Sequence, residues 1–431
     1  MRGAFQLGAI IVVLIVLSVA VWLANYLVWF GADAPQVDYY TKIREMQAGA
    51  SGASPDDYRA HGTLLELASI IESLKAEGLE EPFSIDHDKR LDEQTPEVIA
   101  GVKEWISACE QRSVFAKMDE LAALPSYILP WEPTVLFIDL DYLEGSSAFR
   151  KGIRASGNRG RLALYAGDSR RAIEESERQV GLSGLLLSQP IALNRLVGHA
   201  VLAYSIGYCR ELLQHGVSET ELAKLTELYD LVELFPIEEV INGERLIAQN
   251  AITGTFHGNR TIKIMSRGAQ WARIESEFDR MQSWSGQPAF ERARSPFVDA
   301  EDDWRYVPAD ILLPAMSAMV RSHDQITTDL NGIRLEIAIE RYRQETGSLP
   351  ATLDDLLPDY IDELPGDIFA EGESAYRYRV LGTPDEQGRA YHLYSVGYDG
   401  VDNGGVEPEE RAYEALAPDS EGTDFMLHRY E

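Results

Sequence analysis

Apolar residues recur every three or four positions through most of the chain, the period of helices that bury one face. Leu64, Leu67, Ala68, Ile71 and Leu74 form one such stripe, and Val98, Val102, Trp105, Ile106 and Cys109 form the next. Residues 35–305 therefore read as helix after helix. Breaks fall near Pro82, Pro96, Pro125, Pro130, Pro133 and Pro190, where a residue without an amide hydrogen starts or stops a helix.

The clearest local pattern runs from Ala163 to Ala172 (Ala-Leu-Tyr-Ala-Gly-Asp-Ser-Arg-Arg-Ala). It resembles the A-L-x-x-G-D-x-x-x-A turn between helices of tetratricopeptide-like repeats. Gly167 is expected to take a left-handed position after one helix, and Asp168 to start the next. Small Ala163 and Ala172 let the two helices approach. A second pair, about 190–214 and 218–234, is joined where Ser218 and Glu221 make a capping box. No clean 34-residue copy recurs, so the expectation is an irregular α-hairpin bundle or solenoid.

Near the start the periodicity vanishes into continuous apolarity. No charged residue occurs from Gly3 to Ala32, and the run is densest over Ala9–Trp22. Thirty residues of helix span ~45 Å, enough for a ~30 Å hydrocarbon layer with some tilt. Trp22, Tyr26, Trp29 and Phe30 suit the far interface, and Arg2 suits the cytoplasmic side. The reading is an uncleaved anchor over residues 1–34, with the bulk of the chain outside the cytoplasm. The alternative is a signal peptide cut after the small-x-small triplet Ala32-Asp33-Ala34. Pro35 directly after that triplet disfavours cleavage.

The pattern changes again towards the end. Leu330, Ile333, Leu335, Ile337, Ala338, Ile339 and Tyr342 are apolar on more than one face, so that helix should be mostly covered up to Gly347. Thr352 and Asp355 cap a short second helix. Ala375–Leu381 alternates, with Tyr376, Tyr378 and Val380 opposite Arg377 and Arg379, which is strand behaviour. Ala390–Val396 makes a second strand and Asp424–His428 a third. The fold class is mainly α with a small α+β tail. Residues 1–34 form the anchor, 35–305 the helical domain, and 306–431 a long helix plus a three-stranded antiparallel sheet.

Charge narrows the partners. The chain of 431 residues has a formal net charge of −31. Residues 351–431 carry 20 acids against 5 Arg and no Lys, a net of −15. Phosphates need Lys and Arg, so nucleic acid is not an expected partner. Cys109 and Cys209 are the two cysteines; each reads as a small buried hydrophobe, with a single bridge as the alternative if the domain is exported.

The stretch from Leu393 to Gly405 holds the main candidate chemistry. A strand runs into Gly397-Tyr398-Asp399-Gly400-Val401-Asp402-Asn403-Gly404-Gly405, rich in carboxylates and glycine. Such a loop can turn oxygens onto one point, as calcium requires, and can equally be a polar turn. Tyr342-Arg343-Gln344-Glu345-Thr346-Gly347-Ser348-Leu349-Pro350, then Thr352–Leu356, then Leu393–Gly400 together resemble the soluble domain of the major pseudopilin of type II secretion systems. The likeness covers roughly the last hundred residues. In that family the loop holds a calcium ion that stabilises the domain. The resemblance places Asp399 at the loop aspartate and Gly422-Thr423-Asp424 at the closing Gly-Ala-Asp, nominating Asp424 as a second ligand. Asp402, three residues past Asp399, is added on physical grounds.

Two departures limit the likeness. Counted from Ala4, the fifth residue is Gly8 where pseudopilins carry Glu, which argues against filament building. Some three hundred residues also separate anchor from tail. The whole chain resembles exported bacterial proteins that join an anchor, a helical middle and this tail. No GxSxG, HExxH, P-loop, GxGxxG or CxxC motif is present. Gly-flanked His257 reads as polar surface. The expected role is a membrane-anchored, non-catalytic structural or interaction protein facing the periplasm or cell exterior, associated with a secretion or pilus-like apparatus. The alternative is an exported, glycosidase-like hydrolase, with Asp139 and Asp141 as its acid pair because apolar neighbours raise carboxylate pKa values.

Overall fold

The computed structural model describes residues 37–429 apart from residues 50–51, 81, 83–92, 131–139, 256–266, 299–306, 373, 409–415 and 417–419, together with Ser18 and Val19. The expected anchor over residues 3–32 thus lies outside the described residues except at those two positions. Among the described residues no helix is long and apolar enough to cross a membrane. His257 and Asp139 also fall outside them.

Helices dominate, as the periodicity requires. In chain order they are α1 (Tyr39–Gly49), α2 (Arg59–Ala76), α3 (Pro96–Gln111), α4 (Val114–Ala122), α5 (Leu140–Tyr165), α6 (Ser169–Leu187) and α7 (Ala192–His215). Then follow α8 (Glu219–Asp230), α9 (Ile237–Thr255), α10 (Arg267–Ser285), the short α11 (Ala289–Arg294) and α12 (Val307–Thr346). The stripes on α2 and α3 are buried in one core with α4 and α5. Cys109 and Cys209 are both buried and unbridged; burial pushes the Cys209 thiol well up, so it packs as an inert hydrophobe.

The hairpin turn forms as its residues dictate. Gly167 sits at φ +80°, and the Asp168 amide donates back to the Ala163 carbonyl at 2.9 Å, closing the end of α5. The Asp168 carboxylate accepts the Arg171 amide at 3.1 Å to open α6. At the next turn Ser218 and Glu221 make the reciprocal capping box.

Helix α12 is the long helix expected at the head of the tail, and it begins at Val307, well before the apolar run that opens at Leu330. Its earlier turns are covered by a different neighbour, which the tail's sequence pattern does not reveal. Met316, Met319 and Val320 pack with α9 and α10. Ile326, Leu330, Ile333 and Ile337 pack with α6, α7 and α8. Leu335, Ala338 and Ile339 pack under the C-terminal sheet. One helix therefore enters three apolar cores in turn and joins the helical body to the tail.

The tail's short second helix is a single 3-10 turn, Leu353–Leu356, not an α-helix; the Thr352 amide still donates to the Asp355 carboxylate at 2.9 Å. The sheet is antiparallel in the order β1 (Arg377–Val380), β2 (Tyr391–Ser395), β3 (Phe425–Met426). Arg377 faces Tyr394, and Tyr394 faces Met426 across the ladders. The predicted alternation fades along β1: Tyr376 is buried, Tyr378 half-buried and Val380 exposed, because the strand forms the sheet edge and runs off its core. Gly332 lets the tail seat closely, since a Cβ there would stand 2.8 Å from a methyl carbon of Leu427.

A half-buried acid sets a pH dependence in the helical body. Glu244 accepts the Ala192 amide at the start of α7, 2.7 Å away. Burial raises its pKa to about 7, and that hydrogen bond only partly opposes the rise. Between the ordinary carboxylate range and pH 7 the folded chain holds a proton that the unfolded chain has released. Stability therefore falls as pH rises through that window and recovers below it. Glu244→Gln is expected to exceed wild type in urea unfolding at about pH 8 by on the order of 2 kcal/mol, with the gap closing near about pH 4. A gap independent of pH would reject this assignment.

Candidate functional site

The acidic loop after β2 is held by its own carboxylates. Asp399 Oδ1 accepts the Val401 amide at 2.9 Å, and Oδ2 accepts the Gly422 amide at 2.9 Å and the Asn403 side-chain amide at 3.2 Å. Asp424 is buried and reaches back across the intervening segment. Its Oδ1 accepts the Asn403 amide at 3.2 Å and its Oδ2 the Gly405 amide at 2.6 Å. Gly404 and Gly405 both take positive φ, which turns those amides towards the carboxylates.

Asp402 points to different partners. Its Oδ1 accepts from the Tyr394 hydroxyl and the Gly404 amide, both at 3.0 Å, and its Oδ2 from Arg377 Nε at 3.1 Å. Burial opposes its ionisation, but the Gly404, Tyr394 and Arg377 donors outweigh burial and hold its pKa below the usual value. Asp424 shifts the other way: burial raises its pKa, the Gly405 and Asn403 amides pull it down, and the nearby Asp402 charge adds to the rise.

Of the three predicted residues, Asp399 and Asp424 are linked through their shared neighbour Asn403, whereas Asp402 turns to Tyr394, Gly404 and Arg377. Among the described residues no group of three or more His, Cys, Asp or Glu side chains is placed to hold a metal ion. Arg377 occupies the side of Asp402 where a cation would compete. Calcium fits this loop only if Arg377 gives up that carboxylate.

Sequence reasoning missed a second acid beneath the loop. Asp367 is buried, and its Oδ1 accepts from the Ser395 hydroxyl at 2.7 Å and the Phe369 amide at 3.1 Å. Its Oδ2 accepts the Val396 amide at 2.9 Å. It ties the preceding turn to the end of β2. Its sequence setting, Pro365-Gly366-Asp367, reads only as a turn.

The larger omission lies where the tail meets the body. Arg210 of α7 bonds Glu336 through Nε at 2.9 Å and Asp329 through Nη2 at 2.8 Å, all three nearly inaccessible. Both acids belong to α12, two turns apart and therefore on one face. From the last residues, Arg429 reaches Asp329 Oδ2 at 3.2 Å and His428 Nδ1 reaches Glu336 Oε2 at 3.1 Å. His428 also stacks on Tyr391 of β2 at 4.0 Å between centroids. The sequence signal was available: two acids at i and i+7 on a helix whose other faces are apolar.

Beside this junction a groove of about 660 Å³ separates the end of α8 from the 358–365 loop, with α12 as its floor. Arg334 caps α8 there, donating to the carbonyls of Tyr229 at 2.9 Å and Val232 at 2.8 Å. Of the alternative acid pair, Asp141 lies in the first turn of α5 and Asp139 is not among the described residues. Compared with protein-family models, curated proteins and solved structures, the chain matches none of them.

Proposed function

We propose that this chain is a single-pass membrane protein, anchored by residues 3–32 with its N-terminus in the cytoplasm. It presents a non-catalytic structural or interaction module on the periplasmic or outer side. Association with a type II secretion or pilus-like apparatus belongs to the same proposal and follows from the tail's resemblance.

The observation that carries this reading is the joint between body and tail. Helix α12 is shared by three cores, and buried charges from α7, α12 and the last residues interlock across the junction. A partner gripping the tail would therefore be held at a fixed orientation to the helical body. That is what a structural connector requires. If calcium binds, Asp399, Asp402 and Asp424 would hold it, and it would supply positive charge to a loop crowded with carboxylates.

Two measurements test the proposal separately. Protease added to intact spheroplasts is expected to remove a C-terminal epitope, and deletion of residues 3–32 to release the chain from membranes. Protection of the epitope until lysis would refute the topology. Calcium is expected to raise the melting temperature, an effect lost in Asp399→Ala. Identical melting in calcium and in chelator would remove the metal and leave the topology standing.

A further inference from the structure

Arg195 stands at the end of the first turn of α7 with 1% of its surface exposed. Its Nη1 donates to the Phe235 carbonyl at 3.0 Å, and its Cζ lies 6.0 Å from the centroid of that ring. Among the described residues its Nε has no partner and no carboxylate pairs with it. Burial lowers its pKa to about 10, so it remains a cation at neutral pH.

One turn further along, His199 is 3% exposed. Its Nδ1 meets Ser322 Oγ of α12 at 3.0 Å, and its Nε2 has no partner among the described residues. The His323 ring lies 5.9 Å away, and its Nδ1 is likewise without a partner among the described residues. Burial is the main cause that keeps both rings neutral, and the Arg195 charge depresses each further. The other charges nearby are occupied. Arg292 is bonded to Asp324, and Glu244 accepts the Ala192 amide.

An isolated guanidinium in the interior is expensive, and the cost is relieved by a counterion rather than by hydrogen bonds alone. Water can satisfy the free nitrogens but cannot balance the charge. We propose that Arg195, His199 and His323 bind a small monovalent inorganic anion of halide size where α7 crosses α12. One unpaired cation among neutral rings calls for one negative charge. The near-complete enclosure of Arg195 and His199 favours an ion over an organic acid. The anion would anchor the start of α7 to α12 from inside, independently of the membrane topology proposed above.

The test is urea unfolding of the full chain at constant ionic strength, with chloride exchanged for gluconate. Above the dissociation constant, each tenfold rise in chloride is expected to raise the folded-to-unfolded ratio about tenfold. Arg195→Met, which removes the buried charge, is expected to fold in gluconate and to show no chloride dependence. Crystals soaked in bromide are expected to show an anomalous peak beside Arg195 Nε. A flat chloride response in wild type, an equal response in Arg195→Met, or an absent bromide peak would each overturn the site.

Discussion

Arg210→Met is expected to destabilise the chain by about 3–5 kcal/mol, the usual cost of removing one partner from a buried ion pair. Glu336 would lose Arg210 and retain its contact with His428, and Asp329 would lose it and retain its contact with Arg429, while both carboxylates stay out of water. The loss arises from the acids left behind rather than from the missing attraction. Adding Asp329→Asn and Glu336→Gln to Arg210→Met should therefore recover much of the stability. Urea titrations of the single and triple variants supply the measurement. A single variant within about 1 kcal/mol of wild type, or a triple variant no better than the single, would contradict the account. The same series reports on the joint: hydrogen exchange in β2 and β3 should accelerate in the single variant, because His428 and Arg429 tie those strands to α12.

Much of the fold was legible because the signals were local. Gly167 with Asp168, and Ser218 with Glu221, act through their own backbone and formed as read. The apolar stripes needed only a period. What covers the first part of α12 was not legible, because α9 and α10 are partners distant in sequence. How far the core reaches under β1 was hidden for a similar reason: alternation in Tyr376, Tyr378 and Val380 states which faces are apolar, not how far the core extends beneath them. At the candidate site, Asp399 could be found from its glycine-rich loop, whereas Asp424 required the family likeness to connect it across the intervening segment. The Arg210 network was the hardest to see. A charged residue on a helix ordinarily marks the wet face, and only the apolar residues all around Asp329 and Glu336 argue otherwise. Arg195 has the same disguise, being one more arginine at the start of a helix until its neighbours are known.

Asp424→Ala is expected to cost about 3 kcal/mol at neutral pH, since the Asn403 and Gly405 amides both lose their acceptor in a partly buried loop. Asp424→Asn should cost much less. Its carbonyl oxygen can still accept one amide, and it removes a charge that burial and the neighbouring Asp402 already disfavour. This ordering separates a loop held by hydrogen bonds from one held by charge. If ionic attraction to a bound cation dominated, the neutral amide would be nearly as damaging as alanine. Amide exchange at Asn403 and Gly405 provides the local readout: protection should be lost in the alanine variant and largely kept in the asparagine variant, with Arg377 still bonded to Asp402 in both. Equal loss in the two variants would instead show that the carboxylate charge itself closes the loop, and would favour the calcium ligand set over the self-satisfied one.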